Sequence, residues 1–142
     1  MNKEEETLSL IKDFIEIDKK APVDSDKNRK DPVKIAKDMV KKAEDIAQND
    51  ILSISTSQLR NVFGAIKKLE MTQYDEKVFR QLILIKPKLA YMRGRSGGKQ
   101  DYQNLEKILV TAIDAVYDET SFKRFCEFIE AILAYHKVYG DK

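Results

Sequence analysis

Apolar residues return every three or four positions along most of this chain, which is the spacing of one face of an α-helix. The most regular example follows Gln58 and consists of Leu59, Val62, Phe63, Ile66 and Leu69. The same spacing predicts helices over residues 4–18 and from residue 102 to about residue 119. Because no long segment alternates apolar and polar residues, we predict an all-α fold, a compact bundle of about five to six helices.

The second predicted helix follows a polar segment. Residues 21–31, with the sequence APVDSDKNRKD, predict a mobile loop because turn-forming and charged residues replace the apolar ones. Asp31 followed by Pro32 predicts a helix start, with an N-cap side chain before a proline at the first helical position. The predicted apolar stripe of this helix consists of Val33, Ala36, Val40, Ala43 and Ala47.

Four consecutive apolar residues, 82–85, mark the middle of the chain. Asp75 is the predicted cap of the helix that carries them, and apolar residues in every direction predict that this helix is central and buried. Pro87 predicts a kink or a restart, because proline lacks the N–H of a helical hydrogen bond. We expect the helix to end in a basic loop over about residues 94–100, where two glycines follow each other.

The last predicted helix begins near Thr120 or Ser121, either of which can cap it, and runs to Tyr139. Its apolar arc is wider than one packing contact requires, because a line of aromatic residues extends it: Phe128, Tyr135 and Tyr139. Two interpretations of this line remain open. It is either a buried position in the bundle or a contact surface for another protein or a second copy of the chain.

The chain offers little for catalysis. Its one cysteine, Cys126, and its one histidine, His136, lie ten residues apart on the same predicted helix, about 15 Å at the rise of an α-helix. They cannot form a nucleophile–base pair on that helix, and a zinc site needs more cysteine or histidine than the chain has. Residues 94–99, GRSGGK, lack the spacing of a phosphate-binding loop. We expect no catalytic residue, no metal, no cofactor and a packed or interfacial His136.

Length and composition favour a single helical domain over residues 1–142. A lone cysteine excludes an intramolecular disulfide and is typical of a reducing compartment. The first residues, MNKEEETLS, lack the apolar stretch of a signal peptide, and no apolar run is long enough to span a membrane. We therefore expect a soluble, cytoplasmic protein that makes no membrane contact.

Charge is distributed unevenly along the chain, although the overall net charge is only +2. Residues 56–100 contain 10 Lys and Arg against 3 acidic residues, which gives this segment a net charge of +7. Residues 1–55 carry a net charge of −2, and residues 101–142 carry −3. Such segregation indicates an anionic partner, and nucleic acid is a partner of that kind.

Small residues separate cations in two stripes of the basic segment, which are Arg60–Gly64–Lys67 and Lys86–Ala90–Arg93. A stripe of this form lets a nucleic-acid backbone approach while the cations reach its phosphates, without sequence preference. An aromatic side chain among the cations, Tyr91, can stack on a base or a ribose. The predicted RNA contacts are Arg60, Lys67, Lys68, Lys86, Lys88, Tyr91, Arg93, Arg95 and Lys99. The alternative is that these cations are only the solvated faces of amphipathic helices.

Two runs in this order, STSQLRNVFGAIKKLE and LILIKPKLAYMRGR, resemble the small subunit of the type III-A CRISPR–Cas effector, the Csm complex. The matching motifs are Q-L-R at residues 58–60, P-K-L-A-Y at residues 87–91 and G-R at residues 94–95. The closing segment FKRFCEFIEAILAYHKVYG fits the last helix of that family. The resemblance covers about residues 55–140.

The resemblance implies a non-catalytic, RNA-binding subunit of an antiviral ribonucleoprotein. Copies of such a subunit stack along the inside of the effector filament, beside its backbone subunits, and help to hold the guide RNA and the target RNA paired to it. In that family the backbone subunits cut target RNA and the large subunit cuts DNA. The RNA contacts implied by the motifs are Arg60, Lys67, Lys88, Arg93 and Arg95. The alternative function is a helical homodimeric protein–protein adaptor with no direct role in binding nucleic acid.

Overall fold

The computed structural model describes residues 2–16 and 32–140, and every regular element among them is helical. In chain order the elements are α1 (Lys3–Ile15), α2 (Pro32–Asp45), a π-helical turn (Ile46–Asp50), α3 (Thr56–Glu70), α4 (Glu76–Ile83), α5 (Ile85–Arg95), α6 (Gln100–Ala115) and α7 (Glu119–Tyr139). One residue, Leu84, separates α4 from α5, so the two are halves of one broken helix and the described chain contains six helices in this sense. The predicted all-α bundle of about five to six helices is confirmed.

α7 is the central helix of the packing. It lies against α1, α2, α3 and the π-helical turn, while α6 packs against α1 and α5. The side chains buried between the helices form one apolar core, with Leu59, Leu109 and Phe125 fully enclosed in it. α3 also contacts α4 and α5, so the two helices that carry most of the basic residues are neighbours.

The first two helices begin at polar caps or at proline. Asn2 caps α1 by accepting a backbone N–H from the first turn, and α1 ends at Ile15, earlier than predicted. α2 begins at Pro32, as predicted, because the first turn of a helix does not need the N–H that proline lacks. The predicted cap Asp31 and the predicted loop of residues 21–31 lie outside the described residues.

The predicted apolar stripe of α2 is wrong at its first three positions. Val33 is 62% exposed, and Ala36 and Val40 are exposed as well. The buried residues of this helix are Ile35, Met39 and Ala43. Both sets of residues have helical spacing, and isoleucine and methionine bury more apolar area against α1 and α7 than valine and alanine would.

Polar caps fix the starts of α3 and α4. The Ser55 hydroxyl oxygen accepts the backbone N–H of Gln58, and all five apolar residues of the predicted α3 stripe are buried. The Asp75 carboxylate accepts the backbone N–H groups of Lys77 and Val78 at the start of α4. The predicted α3 stripe and the predicted Asp75 cap are both confirmed.

The prediction that residues 82–85 form a central, buried helix is wrong. Leu82 and Ile85 are buried, but Leu84 is 53% exposed and Ile83 is exposed too. The helix breaks at Leu84 because Pro87 has no N–H to donate to the Ile83 carbonyl four residues earlier. It restarts so that Pro87 lies in the first turn of α5, which confirms the predicted restart.

The loop after α5 is held by glycines and by side-chain hydrogen bonds. Gly97 and Gly98 both have φ of +78°, in the left-handed region that glycine adopts without strain. The Ser96 hydroxyl donates to the Arg93 carbonyl and accepts the backbone N–H of Lys99. The helix therefore ends at Arg95, inside the predicted basic segment of residues 94–100, and only residues 96–99 form the turn that leads to α6.

The last two helices differ from prediction at their ends. α6 spans Gln100–Ala115, so it begins and ends a few residues earlier than predicted. The predicted cap of α7 at Thr120 or Ser121 is wrong, because Asp118 caps the helix and Ser121 is its third residue. The Asp118 carboxylate accepts the Ser121 N–H, and the Ser121 hydroxyl accepts the Asp118 N–H in return. The predicted end at Tyr139 is confirmed.

Candidate nucleic-acid interface

Two adjoining clefts of about 660 Å³ each follow the surface formed by α3 and α5. In the first cleft, Arg60 and Lys68 of α3 lie eight residues apart, about 12 Å along the helix axis, and Lys88 of α5 joins them. Gly64 lies between the two α3 cations, and a methyl group added there would meet no atom within 4 Å. The first cleft is therefore a basic depression with an open helix backbone at its middle.

The second cleft continues the first, because Asn61 and Lys88 line both of them. Its other polar lining residues are Gln58 of α3 and Tyr91 and Arg95 of α5. The Tyr91 side chain is 67% exposed, so its ring is available for stacking. The two clefts together bring five of the nine predicted RNA contacts onto one continuous surface.

The cations of this surface pair with no carboxylate of the described residues. Within residues 2–16 and 32–140, Arg60, Lys68, Lys88 and Arg95 form no ion pair. Their positive charge is therefore available to an anionic ligand, and no ion pair between described residues has to break before it binds.

Lys67 lies in a groove that α3 forms with α7, and Arg60 and Gly64 line this groove as well as the first cleft. Its ammonium group donates to Glu130 at 2.7 Å and to Glu70 at 2.9 Å. The hydrogen bond to Glu130, followed by the one to Glu70, raises the pKa of Lys67. The predicted stripe Arg60–Gly64–Lys67 therefore lies along this groove, where two carboxylates hold Lys67, and Lys68 is the second α3 cation of the first cleft.

The two cations of the second predicted stripe also form ion pairs with carboxylates. Lys86 donates to Asp114, and the Arg93 Nε atom lies 2.7 Å from a carboxylate oxygen of Glu106. Both partners belong to α6, so these two cations stabilise the contact between α5 and α6. The carboxylate beside each cation offsets its charge and so weakens its attraction for a phosphate.

Lys99 stands apart from both clefts. It occupies the position immediately before α6, in the turn held by Ser96, and it is exposed. The structure therefore separates the nine predicted residues into three groups. Five line the clefts, three are paired with carboxylates, and Lys99 lies in the neighbouring turn.

Gln58 is a cleft residue that the charge pattern did not predict. Its side-chain carbonyl oxygen accepts a hydrogen bond from the hydroxyl of Tyr102, 44 residues away in sequence. The only sequence signal for Gln58 was its place in the Q-L-R motif, because an uncharged residue contributes nothing to a charge count.

The aromatic line of α7 is divided between the core and the contact with α2. Phe128 is 1% exposed and belongs to the core, and Tyr135 is half-buried against it. The Tyr139 hydroxyl donates to Glu44 of α2 at 2.6 Å, and this hydrogen bond raises the pKa of Tyr139. Of the two interpretations, a buried position in the bundle and a contact surface, Phe128 therefore follows the first.

Neither Cys126 nor His136 is placed for catalysis. Burial raises the pKa of the Cys126 thiol to about 12, so the thiol is protonated at neutral pH. His136 is fully buried, which confirms it as a packed histidine, and its ring nitrogens have no hydrogen-bond partner among the described residues. In the same residues no three His, Cys, Asp or Glu side chains come together as a metal site. None of the described helices has the length and apolar character needed to cross a membrane.

Comparison with known proteins identifies the family of this chain. The sequence profile of the family Csm2 Type III-A matches residues 34–142, which include every helix from α3 to α7. A related protein, described as CRISPR system Cms protein Csm2, from Streptococcus thermophilus, is 31% identical over 96 residues, which cover 63% of this chain and 75% of that protein. No solved structure matches the chain significantly. The chain therefore belongs to the Csm2 Type III-A family, the small subunit of the type III-A CRISPR effector, the Csm complex.

Proposed function

We propose that this chain is a non-catalytic, RNA-binding structural subunit of the type III-A effector in the cytoplasm. It lines the effector filament and holds the guide RNA–target RNA pair through contacts to the RNA backbone that do not depend on sequence. Its partners are the guide RNA, the target RNA, the backbone and large subunits, and further copies of itself.

The observation that carries this proposal is the continuous basic surface of α3 and α5. It is lined by four cations that pair with no carboxylate in the part of the chain that the structure describes: Arg60, Lys68, Lys88 and Arg95. Lysine and arginine side chains contact phosphates without reading bases, which suits a subunit that must accept any guide sequence. The exposed Tyr91 adds a stacking surface that every base or ribose can use.

The placement of the nucleophile and base candidates supports a non-catalytic role. The Cys126 thiol is buried and protonated, and His136 is enclosed in the core. A subunit that only holds RNA needs neither group at its surface. The resemblance described above assigns cutting to other subunits of the complex, which agrees with this division of work.

The test is RNA binding by a variant that lacks three of the unpaired cations, Arg60→Ala/Lys88→Ala/Arg95→Ala. Fluorescence anisotropy at low salt measures the affinity of the full chain for labelled single-stranded RNA and for a guide–target duplex. We expect at least about a tenfold loss of affinity for both ligands, since three phosphate contacts disappear. Circular dichroism establishes that the variant keeps its helical content.

The matched control is Lys34→Ala/Lys37→Ala/Lys41→Ala, which removes the same charge from exposed positions of α2. α2 packs against α1 and α7, away from the clefts, so this control should bind RNA within about twofold of the wild type. Unchanged RNA affinity in the folded cleft variant would refute the proposal. Equal losses in both variants would show that net charge alone attracts RNA, which also contradicts it.

A second candidate function, a protein–protein adaptor, is favoured by an apolar groove of about 470 Å³ beside α4. Ile83, Leu84 and Tyr117 line it and are exposed, although soluble proteins usually bury such side chains. Sedimentation alone and with RNA separates the two functions. Stable self-association with no response to RNA at low salt would favour the adaptor.

A further inference from the structure

The side-chain amide of Gln58 is held by hydrogen bonds at its carbonyl oxygen and not at its NH₂ group, within the described residues. Its carbonyl oxygen accepts from the Tyr102 hydroxyl and, at 3.3 Å, from the Ser55 hydroxyl. Its backbone N–H donates to the same Ser55 oxygen at 3.2 Å. Because two hydroxyl donors hold the carbonyl oxygen, the carboxamide cannot rotate freely and its NH₂ group keeps one direction.

The NH₂ group of Gln58 has no acceptor within the described part of the chain. The residue lines the second cleft, and it is half-buried there. A donor without an acceptor is costly where water is partly excluded, so an oriented free donor at a cleft favours a ligand that supplies an acceptor. The second cleft thus offers a directional hydrogen bond in addition to charge.

The neighbours of Gln58 indicate which acceptor fits. Lys88 and Arg95 lie seven residues apart on α5, about 10 Å along its axis, with Tyr91 between them. The two cations suit phosphates, and the aromatic ring suits the ribose or base that connects phosphates. An uncharged amide donor beside the ring suits the uncharged acceptor of that same nucleotide, and the 2′-hydroxyl is the acceptor that RNA has and DNA lacks.

We propose that Gln58 donates a hydrogen bond to a ribose 2′-hydroxyl and so gives the second cleft a preference for RNA over DNA. Tyr102 is a positioning residue, because its hydroxyl holds the carboxamide in the orientation that presents the NH₂ group. This inference rests on the proposed RNA-binding function and adds the discrimination between the two nucleic acids.

The experiment compares three single-stranded probes of one base sequence with the full chain. The probes are RNA, DNA with deoxyuridine in place of thymidine, and 2′-fluoro RNA, which keeps the ribose pucker but offers no hydroxyl. The wild type should bind RNA about threefold to tenfold more tightly than the other two probes, the worth of one hydrogen bond. Gln58→Met, which keeps the side-chain volume and removes the amide, should bind all three probes with the affinity the wild type has for DNA.

Tyr102→Phe tests the positioning role, because it keeps the ring and removes only the hydroxyl. It should reduce the preference for RNA by a smaller factor and leave DNA binding unchanged. The control is Gln73→Ala, an exposed glutamine in the turn between α3 and α4, which should keep the full preference.

Each result has a definite meaning. Equal binding of RNA and DNA by the wild type overturns this inference while RNA binding itself stands. Preserved RNA preference in folded Gln58→Met overturns it, and so does an equal loss of affinity for all three probes, which would show a merely structural role. If the wild type binds none of the probes at low salt, the proposed function fails and this inference fails with it.

Discussion

The distinction between unpaired and paired cations predicts how RNA binding responds to salt. Each phosphate of a single strand that a protein cation contacts contributes about −0.7 to the slope of log affinity against log salt concentration. Four unpaired cations line the clefts, so we expect a slope of about −2.8 for the wild type. Affinity should then fall about 50-fold between about 50 mM and about 200 mM salt.

The perturbation that tests this number is Lys88→Ala/Arg95→Ala. Removing two of the four contacts should halve the slope to about −1.4, so affinity should fall only about sevenfold over the same salt range. The comparison variant is Lys67→Ala/Lys86→Ala, which removes the same charge from cations that already donate to Glu130 and Asp114. Its slope should remain near about −2.8, because those two cations make no phosphate contact.

The assay is fluorescence anisotropy of one labelled single-stranded RNA, titrated with each variant across a salt series. The slope is more informative than a single affinity, because it counts contacts and does not depend on how strong each one is. If the Lys67/Lys86 variant loses as much slope as the Lys88/Arg95 variant, the carboxylates release their cations to RNA. The reasoning from ion pairing would then be refuted.

Three further predictions concern the rest of the molecule. Phe128→Ala should lower the free energy of unfolding by about 3–5 kcal/mol in urea denaturation, since Phe128 is enclosed in the core, whereas a change below about 0.5 kcal/mol would place it at the surface. Burial raises the pKa of Asp45, but the hydrogen bond from Asn49 and the charges of Lys3 and Lys42 outweigh this and hold it below the ordinary value of 3.8. Asp45 therefore adds stability above that value and loses it as pH falls through the lowered pKa, so thermal melts of Asp45→Asn should show less acid destabilisation than those of the wild type. Native Cys126 should resist iodoacetamide at about pH 8 and react once denaturant unfolds the chain, and rapid labelling of the native protein in a mass spectrum would contradict its burial.

The sequence predicted α3 well and the stripe of α2 poorly, for a physical reason. In α3 the apolar residues occupy one face, so only one orientation buries them. In α2 two sets of apolar residues share helical spacing, and contacts with α1 and α7 decide that Ile35 and Met39 are buried and Val33 and Val40 are not. The pattern of a single helix does not contain that information.

The sequence predicts the excess of cations at the candidate site, but it does not predict which of these cations form ion pairs with carboxylates. The excess of cations in residues 56–100 is visible in the sequence, and that segment includes the two helices that line the clefts. The partner of Lys67, Glu130, lies 63 residues further along the chain, and the partner of Lys86, Asp114, lies 28 residues further. Only the tertiary packing of α7 and α6 reveals which cations remain available to a ligand.

The central position of α7 has a consequence for how the protein is made. α7 follows the other helices in the chain, yet α1, α2 and α3 all pack on it. One of its contacts, from the Arg124 side chain to the Ile15 carbonyl, joins residues 109 positions apart. Until the ribosome has released residues 119–139, the apolar faces of α2 and α3 lack the helix on which they pack most extensively. The nascent chain is therefore most prone to aggregate before α7 has been synthesised.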